Sequence, residues 1–184
     1  FIGNKNYSDR ALRSVISTER STWIDKIWGT GRSYDNAIME YDKELLGQYY
    51  RDNGYINFSV LNAIGELNNS SGNFIITFTV DEGERYEFGD VSISNTLDDS
   101  YTPLIASMIT TNANNFYDES EINANKIKLA DFMKANGNPF ATINVVQDID
   151  ENSKLVNLTY IVSNGPPVYV ERIEIYGNQR TYDY

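Results

Sequence analysis

The sequence predicts an α+β fold made of two tandem units, each with the order strand, helix, helix, strand, strand. The first observation behind this prediction is an internal repeat. Residues 49–55 (YYRDNGY) return as residues 132–138 (FMKANGN), so that Gly54 falls on Gly137 at an offset of 83 residues. The second observation is the change from helical to strand periodicity within each copy. A period this long is that of a small domain, so the chain is expected to be an array of domains.

Apolar residues at helical spacing predict two helices in the first unit. Ser8 or Asp9 is expected to cap the first helix, because short polar side chains satisfy the free amides there. The second helix is expected to begin near Asp35 and to end at Gly54, which suits the left-handed position after a helix. The core-facing residues are Ala11, Leu12, Val15 and Ile16 in the first helix, and Met39, Leu46 and Tyr50 in the second.

The second unit repeats this pair of helices. Pro103 lies at the start of its first helix, where a missing amide is tolerated. Its second helix is expected to end at Gly137, and the offset carries Leu46 onto Leu129. The core-facing residues are Leu104, Ile105, Met108 and Ile109 in the first helix, and Ile122, Leu129, Phe132 and Met133 in the second.

Alternation of apolar and polar residues predicts a hairpin at the end of each unit. Polar residues 68–73 form the expected turn of the first hairpin, and residues 150–153 that of the second. The expected strands are residues 56–64 and 74–80 in the first unit, and residues 140–149 and 155–162 in the second.

The first strand of a unit is clearest where the units join. Tyr86 and Phe88 share one parity, whereas Val91 and Ile93 share the other, with residues 89–90 between them. One additional residue that switches the facing set indicates a β-bulge. Only residues 81–85 separate the preceding hairpin from this strand, so little bending between the units is expected, with Tyr86 and Phe88 near the joint.

Composition excludes several classes of function. The chain has no cysteine and no histidine, which removes thiolate nucleophiles, the usual general base and the commonest metal ligand. Its net charge is −11, from 15 basic and 26 acidic residues, and such a surface repels nucleic acid. Composition therefore leaves the chain poorly equipped for catalysis, and we expect no catalytic residues, no metal site, no cofactor and no nucleic-acid partner.

Two acidic motifs favour structural explanations. The sequence Asp148-x-Asp150-x-Asn152 begins like a calcium loop but lacks the glycine and the final glutamate, so a polar hairpin turn is the better interpretation. Three glutamates, Glu82, Glu84 and Glu87, lie at the joint and are interpreted as solvated charge.

Several motifs together resemble the POTRA domains of the BamA family of outer-membrane assembly proteins. They are the repeated element order, the pattern Tyr49-Tyr50-x-x-x-Gly54-Tyr55, the pattern Val80-x-Glu82-Gly83, and residues 173–183, which resemble the opening of another repeat. The resemblance implies a three-stranded mixed sheet with two antiparallel helices on one face. It implies POTRA domains at residues 1–84 (first strand truncated) and 85–167, and the first strand of a following truncated domain at 168–184. These are most similar to the third and fourth repeats and the start of the fifth.

The function implied by the resemblance is a periplasmic scaffold, not an enzyme, on the outer membrane of a Gram-negative bacterium. Its expected partners are unfolded outer-membrane proteins and accessory lipoproteins of the assembly complex, bound by strand addition. The chain itself is expected to be soluble and to be a piece of a protein with a C-terminal membrane β-barrel. The alternatives are the POTRA region of a related transporter (translocation and assembly module or two-partner secretion) or a cell-surface binding array of another fold.

Two candidate binding surfaces follow. In the family, the first strand of the hairpin resembles an exposed edge, which here implies residues 56–64 and 141–149. In the first of these, alternation places Ile56, Phe58 and Val60 on one face, and the edge residues expected to bind partners are Asn57, Phe58, Ser59, Val60, Leu61, Thr142, Ile143, Asn144 and Val145. The second surface is an insertion of about ten residues between the helices of the first unit, where Trp anchors are typical of interfaces. Its candidate residues are Trp23, Ile27 and Trp28, although packing of these side chains in the unit's own core is the favoured interpretation.

Overall fold

A computed structural model describes residues 1–17, 36–68 and 73–165 of the chain, and within them four α-helices and five strands follow one another. The first unit contains α1 (Asp9–Val15), α2 (Asn36–Arg51), β1 (Ser59–Asn68) and β2 (Asn73–Asp81). The second contains β3 (Glu87–Asn95), α3 (Thr102–Met108), α4 (Glu119–Ala135), β4 (Ala141–Asp150) and β5 (Leu155–Asn164), with a 3₁₀ turn at Asp99–Tyr101 before α3. The predicted α+β fold and the predicted order of elements are confirmed.

The second unit has a mixed three-stranded sheet with the strand order β3-β5-β4. β3 runs parallel to β5 at its centre, and β4 runs antiparallel to β5 on the other side. The pairing of β3 with β5 shifts between Phe88 and Val91, which confirms the predicted bulge. The Asp90 amide within the bulge donates to Asn157 Oδ1 at 2.8 Å.

The first unit shows the same topology around β2. Strands β1 and β2 form an antiparallel hairpin, and Ile2 lies parallel to β2 on its other side. The Ile2 amide donates to the Phe78 carbonyl at 2.9 Å, and the Val80 amide donates to the Ile2 carbonyl at 2.8 Å. Ile2 thus takes the place that β3 occupies beside β5.

Each unit packs its helices against one face of its sheet, around a core of its own. Leu46 and Leu129 are both fully buried, as the 83-residue offset requires. The first core consists of Leu12, Ile16, Leu46, Tyr50, Tyr55, Phe78 and Val80. The second consists of Tyr86, Phe88, Ile105, Tyr117, Ile122, Leu129, Met133, Val156, Leu158, Tyr160 and Val162. In β5 the buried residues alternate strictly with half-buried ones, so the described helices cover one face of this strand.

The described helix ends lie at the residues that the sequence predicts. Ser8 caps α1, since its hydroxyl accepts the Ala11 amide at 3.2 Å. Gly54 and Gly137, which follow α2 and α4, have φ angles of +98° and +83°, the left-handed conformation that their position predicts. The expected start of α2 near Asp35 and the polar turn at residues 69–72 lie outside the described residues, as do residues 168–184.

One repeated contact was not predicted. Asp42 in α2 and Asn125 in α4 are buried and correspond at the 83-residue offset. Asp42 accepts the amide and the hydroxyl of Ser17, both at 2.8 Å. Asn125 Oδ1 accepts the amide and the hydroxyl of Thr110 at 3.3 and 3.0 Å. In both units a polar side chain of the second helix therefore accepts hydrogen bonds from the residue just beyond the end of the first helix.

The start of β1 differs from the prediction. The strand begins at Ser59 and not at Ile56, because Ile56 packs against the second core and Phe58 stacks on Tyr50 with ring centroids 4.0 Å apart. The pairing with β2 also shifts between Val60 and Asn62, so Leu61 is an additional residue in a bulge. The predicted alternation is therefore wrong on both sides of Ser59 and Val60, because Ile56 and Phe58 pack in different cores and a bulge follows Val60.

Candidate binding edges and the joint between units

In each sheet the chain itself covers part of one edge, at the start of β3 and in the second half of β2. The outer side of β3 is paired with the segment that precedes α4: the Phe88 amide donates to the Asn115 carbonyl at 2.8 Å, and the Tyr117 amide donates to the Tyr86 carbonyl at 3.0 Å. The outer side of β2 holds Ile2. Across residues 36–68 and 73–165, β1 pairs with β2 alone and β4 pairs with β5 alone. Each sheet therefore has an edge, at β1 or β4, that no described residue pairs.

The open edge of β4 is long and regular. Its pairing with β5 runs without interruption from Ala141 opposite Asn164 to Asp150 opposite Leu155. The Gly165 amide donates to the Phe140 carbonyl at 2.8 Å, which identifies these two residues as a hydrogen-bonded pair. Because such pairs alternate along an antiparallel ladder, the backbone groups of every second residue point away from β5. The outward-pointing residues are Ile143, Val145, Gln147 and Ile149.

The predicted β4 site residues therefore divide into two sets. Ile143 and Val145 present their backbone amides and carbonyls at the open edge, whereas the backbone groups of Thr142 and Asn144 bond to β5. The side chains of Ile143 and Val145 pack against the second core. The Thr142 hydroxyl lies 3.0 Å from that of Ser163 across the ladder. The edge thus combines exposed hydrogen-bonding groups with side chains that are held in place.

The open edge of β1 is interrupted. Phe78 and Val80 bond to Ile2, so their partners across the ladder, Ala63 and Val60, point their backbone groups outward. Ser59 instead faces β2 opposite Asp81. Leu61 lies in the bulge with 65% of its side chain exposed. A bulge of this kind bends and twists a strand, which is one way in which proteins blunt an edge.

Asn57 and Phe58, predicted at the edge of the first unit, are not part of it. The Asn57 side-chain amide donates to the Tyr86 hydroxyl at 3.1 Å, and this bond joins the two units. Phe58 belongs to the first core. Their predicted placement in the edge strand is wrong, because both residues precede the strand and their side chains make tertiary contacts there. The predicted loop residues Trp23, Ile27 and Trp28 lie outside the described residues.

The joint between the units is dense. The Tyr86 amide donates to the Gly54 carbonyl at 2.9 Å, and Arg85 Nε donates to the Asn53 carbonyl at the same distance. The Arg85 guanidinium lies 3.4 Å from the centre of the Phe116 ring. Arg51 Nε, at the end of α2, donates to Glu119 Oε2, at the start of α4, at 2.6 Å. Backbone, aromatic and ionic contacts therefore connect the two units.

Glu82 contradicts the interpretation of the joint glutamates as solvated charge. Only 5% of Glu82 is exposed, and its carboxylate accepts the Tyr50 hydroxyl at 2.8 Å and the Asn6 side-chain amide at 2.7 Å. The Asn6 backbone amide also donates to it, at 3.1 Å. Burial and the bond to Glu82 raise the pKa of the Tyr50 hydroxyl well above its usual range. The network ties the N-terminal segment and α2 to the hairpin.

The acidic turn after β4 is a structural feature. The Asp150 carboxylate accepts the Ser153 hydroxyl at 2.7 Å and the Asn152 amide at 2.9 Å, and these bonds hold the pKa of the carboxyl below its usual value. This geometry confirms a polar hairpin turn. Among the residues that the structure describes, no three acidic, cysteine or histidine side chains are grouped to hold a metal. No helix in the same residues is long and apolar enough to span a bilayer.

Comparison with known proteins agrees with this geometry. Residues 1–83 match the POTRA family model, described as a surface antigen variable number repeat. The full chain is 30% identical to outer membrane protein assembly factor BamA of Neorickettsia risticii and 28% identical to that of Neisseria meningitidis serogroup B, and spans about a quarter of each (24% and 23%). The chain consists of POTRA repeats of the BamA family. The crystal structure of Haemophilus influenzae BamA POTRA3-5 superposes on 98% of this chain, and the match covers 70% of the crystallised chain. The two share 21% identity with a TM-score of 0.69, which supports the fold.

Proposed function

We propose that the chain is the periplasmic POTRA region of an outer-membrane β-barrel assembly protein and binds extended segments of unfolded outer-membrane proteins and accessory lipoproteins by strand addition. The names of its relatives, outer membrane protein assembly factors, support the process. The fold match to a POTRA3-5 structure supports third and fourth repeats, at residues 1–84 and 85–167, with residues 168–184 opening a fifth. The proposed location is the periplasmic face of the outer membrane, next to a barrel in the same protein.

The observation that carries the mechanism is the open edge of β4. It offers outward backbone groups at every second residue over ten residues in continuous register. Main-chain hydrogen bonds give affinity without demanding a particular sequence. A scaffold whose clients are many different β-strand precursors needs this kind of recognition. The proposed role is binding and not catalysis, in keeping with a chain that has no histidine and no cysteine.

A pair of proline variants tests strand addition at β4. Val145→Pro removes an amide that points outward, whereas Asn144→Pro removes one that bonds to β5. We expect Val145→Pro to weaken binding of a ten-residue peptide with the alternating sequence of a barrel strand at least several-fold, and to lower the melting temperature less than Asn144→Pro does, since only core packing and no ladder bond is lost. Asn144→Pro should lower the free energy of unfolding by about 1–3 kcal/mol, the penalty for an unpaired ladder group.

The corresponding pair in β1 is Val60→Pro, which removes an outward amide, and Ser59→Pro, which removes an inward one. Binding to the same peptide is measured by fluorescence anisotropy, and folding by circular dichroism. Unchanged binding by Val145→Pro and Val60→Pro, with the fold preserved, would reject strand addition at both edges. Loss of binding only in Trp28→Ala would move the site to the inserted loop.

A further inference from the structure

The edge of β4 has two chemically different halves. The half next to α4's end carries neutral residues, Thr142 to Val146, of which Ile143 and Val145 face the core and Val146 is half exposed. The other half carries Asp148 and Asp150 and leads directly into Glu151. Both Asp148 and Glu151 are exposed. A strand that pairs with this edge would meet neutral side chains at one end and carboxylates at the other.

The carboxylates at this end have no cationic partner within the described residues. The ion pairs found there involve Asp9, Glu40, Glu44 and Glu119, none of them near β4's final turn. The nearest basic residue along the chain, Lys154, has its ammonium 5.5 Å from the centre of the Tyr86 ring. Asp150 is engaged in the turn, whereas the side chains of Asp148 and Glu151 make no hydrogen bond to any described residue. Their charge is therefore available to an added strand.

The open edge of β1 lacks this polarity. Its described outward backbone groups belong to Val60, Ala63 and Gly65, and Glu66 is the single acidic residue of the strand. The bulge at Leu61 also breaks the line of pairing. The two edges therefore differ in the segments that they can hold most tightly.

We infer that the β4 edge selects extended segments with basic residues at the end that pairs beside Asp148 and Glu151, and neutral alternating residues at the other end. The inference rests on the proposed strand addition and adds to it this preference for basic residues at one end, which we call the rule of charge. Opposite charges on neighbouring strands attract, and like charges repel. The net charge of −11 acts in the same direction at longer range, so the local effect has to be separated from it.

The test compares three peptides of one alternating ten-residue sequence, with two lysines, two glutamines or two glutamates at one end. Each is made with the variable pair at the N-terminal or the C-terminal end, which covers parallel and antiparallel addition. For the wild-type chain we expect the lysine peptide to bind roughly threefold to tenfold more tightly than the glutamine peptide in one of the two series, as two exposed ion pairs allow. The glutamate peptide should bind more weakly than both.

The deciding variant is Asp148→Asn with Glu151→Gln, which leaves the turn made by Asp150 intact. Its control is Asp99→Asn with Asp131→Asn, which removes the same charge from exposed acids elsewhere in the unit. We expect the lysine preference to fall to about twofold or less in the first variant and to persist in the second, with binding of the glutamine peptide unchanged in both. Equal loss in both variants would show that net charge, and not the edge, sets the preference.

Val145→Pro separates this inference from the proposed function. If that variant loses binding of all three peptides while the preference survives Asp148→Asn with Glu151→Gln, the rule of charge is wrong and strand addition at β4 stands. If Val145→Pro binds every peptide as the wild type does, strand addition at β4 is wrong and the rule of charge falls with it.

Discussion

Gly54 and Gly137 occupy the same position of the repeat and form a matched experiment on the joint. Both have a positive φ, so an alanine at either position pays about 1–2 kcal/mol for the left-handed conformation. The surroundings differ. A Cβ on Gly137 would meet no atom within 4 Å, whereas a Cβ on Gly54 would lie 2.9 Å from Arg85 Cγ and 3.2 Å from the Tyr86 carbonyl oxygen.

Arg85 cannot simply move aside in Gly54→Ala. Its Nε donates to the Asn53 carbonyl, and its guanidinium stacks on Phe116. Displacing the side chain gives up a hydrogen bond, worth about 0.5–1.5 kcal/mol, and a cation–π contact, worth about 0.5–1 kcal/mol at an exposed site. We therefore expect Gly54→Ala to lower the free energy of unfolding by about 1–2.5 kcal/mol more than Gly137→Ala does.

The assay is urea unfolding of both variants, combined with hydrogen exchange of the Tyr86 amide. That amide donates to the Gly54 carbonyl, so its protection reports directly on the joint. It should fall in Gly54→Ala and stay as in the wild type in Gly137→Ala. Equal destabilisation by the two alanines, with Tyr86 protected in both, would refute the view that Gly54 is required by the neighbouring unit.

Two further predictions concern the joint and the second core. Glu119→Gln should change the free energy of unfolding by at most about 1 kcal/mol, because its bond to Arg51 is partly exposed, but should broaden the distance distribution between spin labels on the two units. The control Glu40→Gln breaks an ion pair within the first unit and should leave that distribution unchanged; equal distributions in all three proteins would contradict the prediction. Burial raises the pKa of Tyr117 to about 12, so the folded state disfavours ionisation of this hydroxyl. Its contribution to stability is full below the unfolded value of about 10 and is lost as the pH rises towards 12, and Tyr117→Phe should make the urea midpoint fall less over this range. An identical fall in Tyr117→Phe and wild type would be evidence against this assignment.

The sequence predicted the elements whose signals are local or repeated. The helical periodicity of apolar residues and the 83-residue offset together identified both pairs of helices. The change of parity from Tyr86 and Phe88 to Val91 identified the bulge between them. The start of β1 failed because Ile56 and Phe58 alternate like strand residues while their side chains serve two different cores. Nothing in the neighbouring sequence distinguishes alternation within a strand from alternation of residues that pack in two different cores.

The candidate site was less predictable, since it depends on contacts between distant residues. Glu82 looked like a surface charge because its partner Asn6 lies 76 residues earlier in the chain. The bulge at Leu61 was hidden because apolar residues of both parities follow Val60, and Leu61 and Ile64 are exposed although they are apolar. The pair Asp42 and Asn125 could have been found, however, since two polar residues at equivalent positions on the inner side of a helix are a signal in a repeat.

The partly covered edges of β2 and β3 restrict where the proposed strand addition can take place. Ile2 already occupies part of β2, and the segment before α4 occupies the start of β3, so β1 and β4 are the edges that no described residue pairs. Under the proposed strand addition, the two units offer two separate binding edges, β1 and β4. A segment long enough to reach both edges would be retained when either contact opens, because the free edge would meet it again at a high local concentration. On this proposal the array holds a chain for longer than one edge alone would, and releases it one strand at a time.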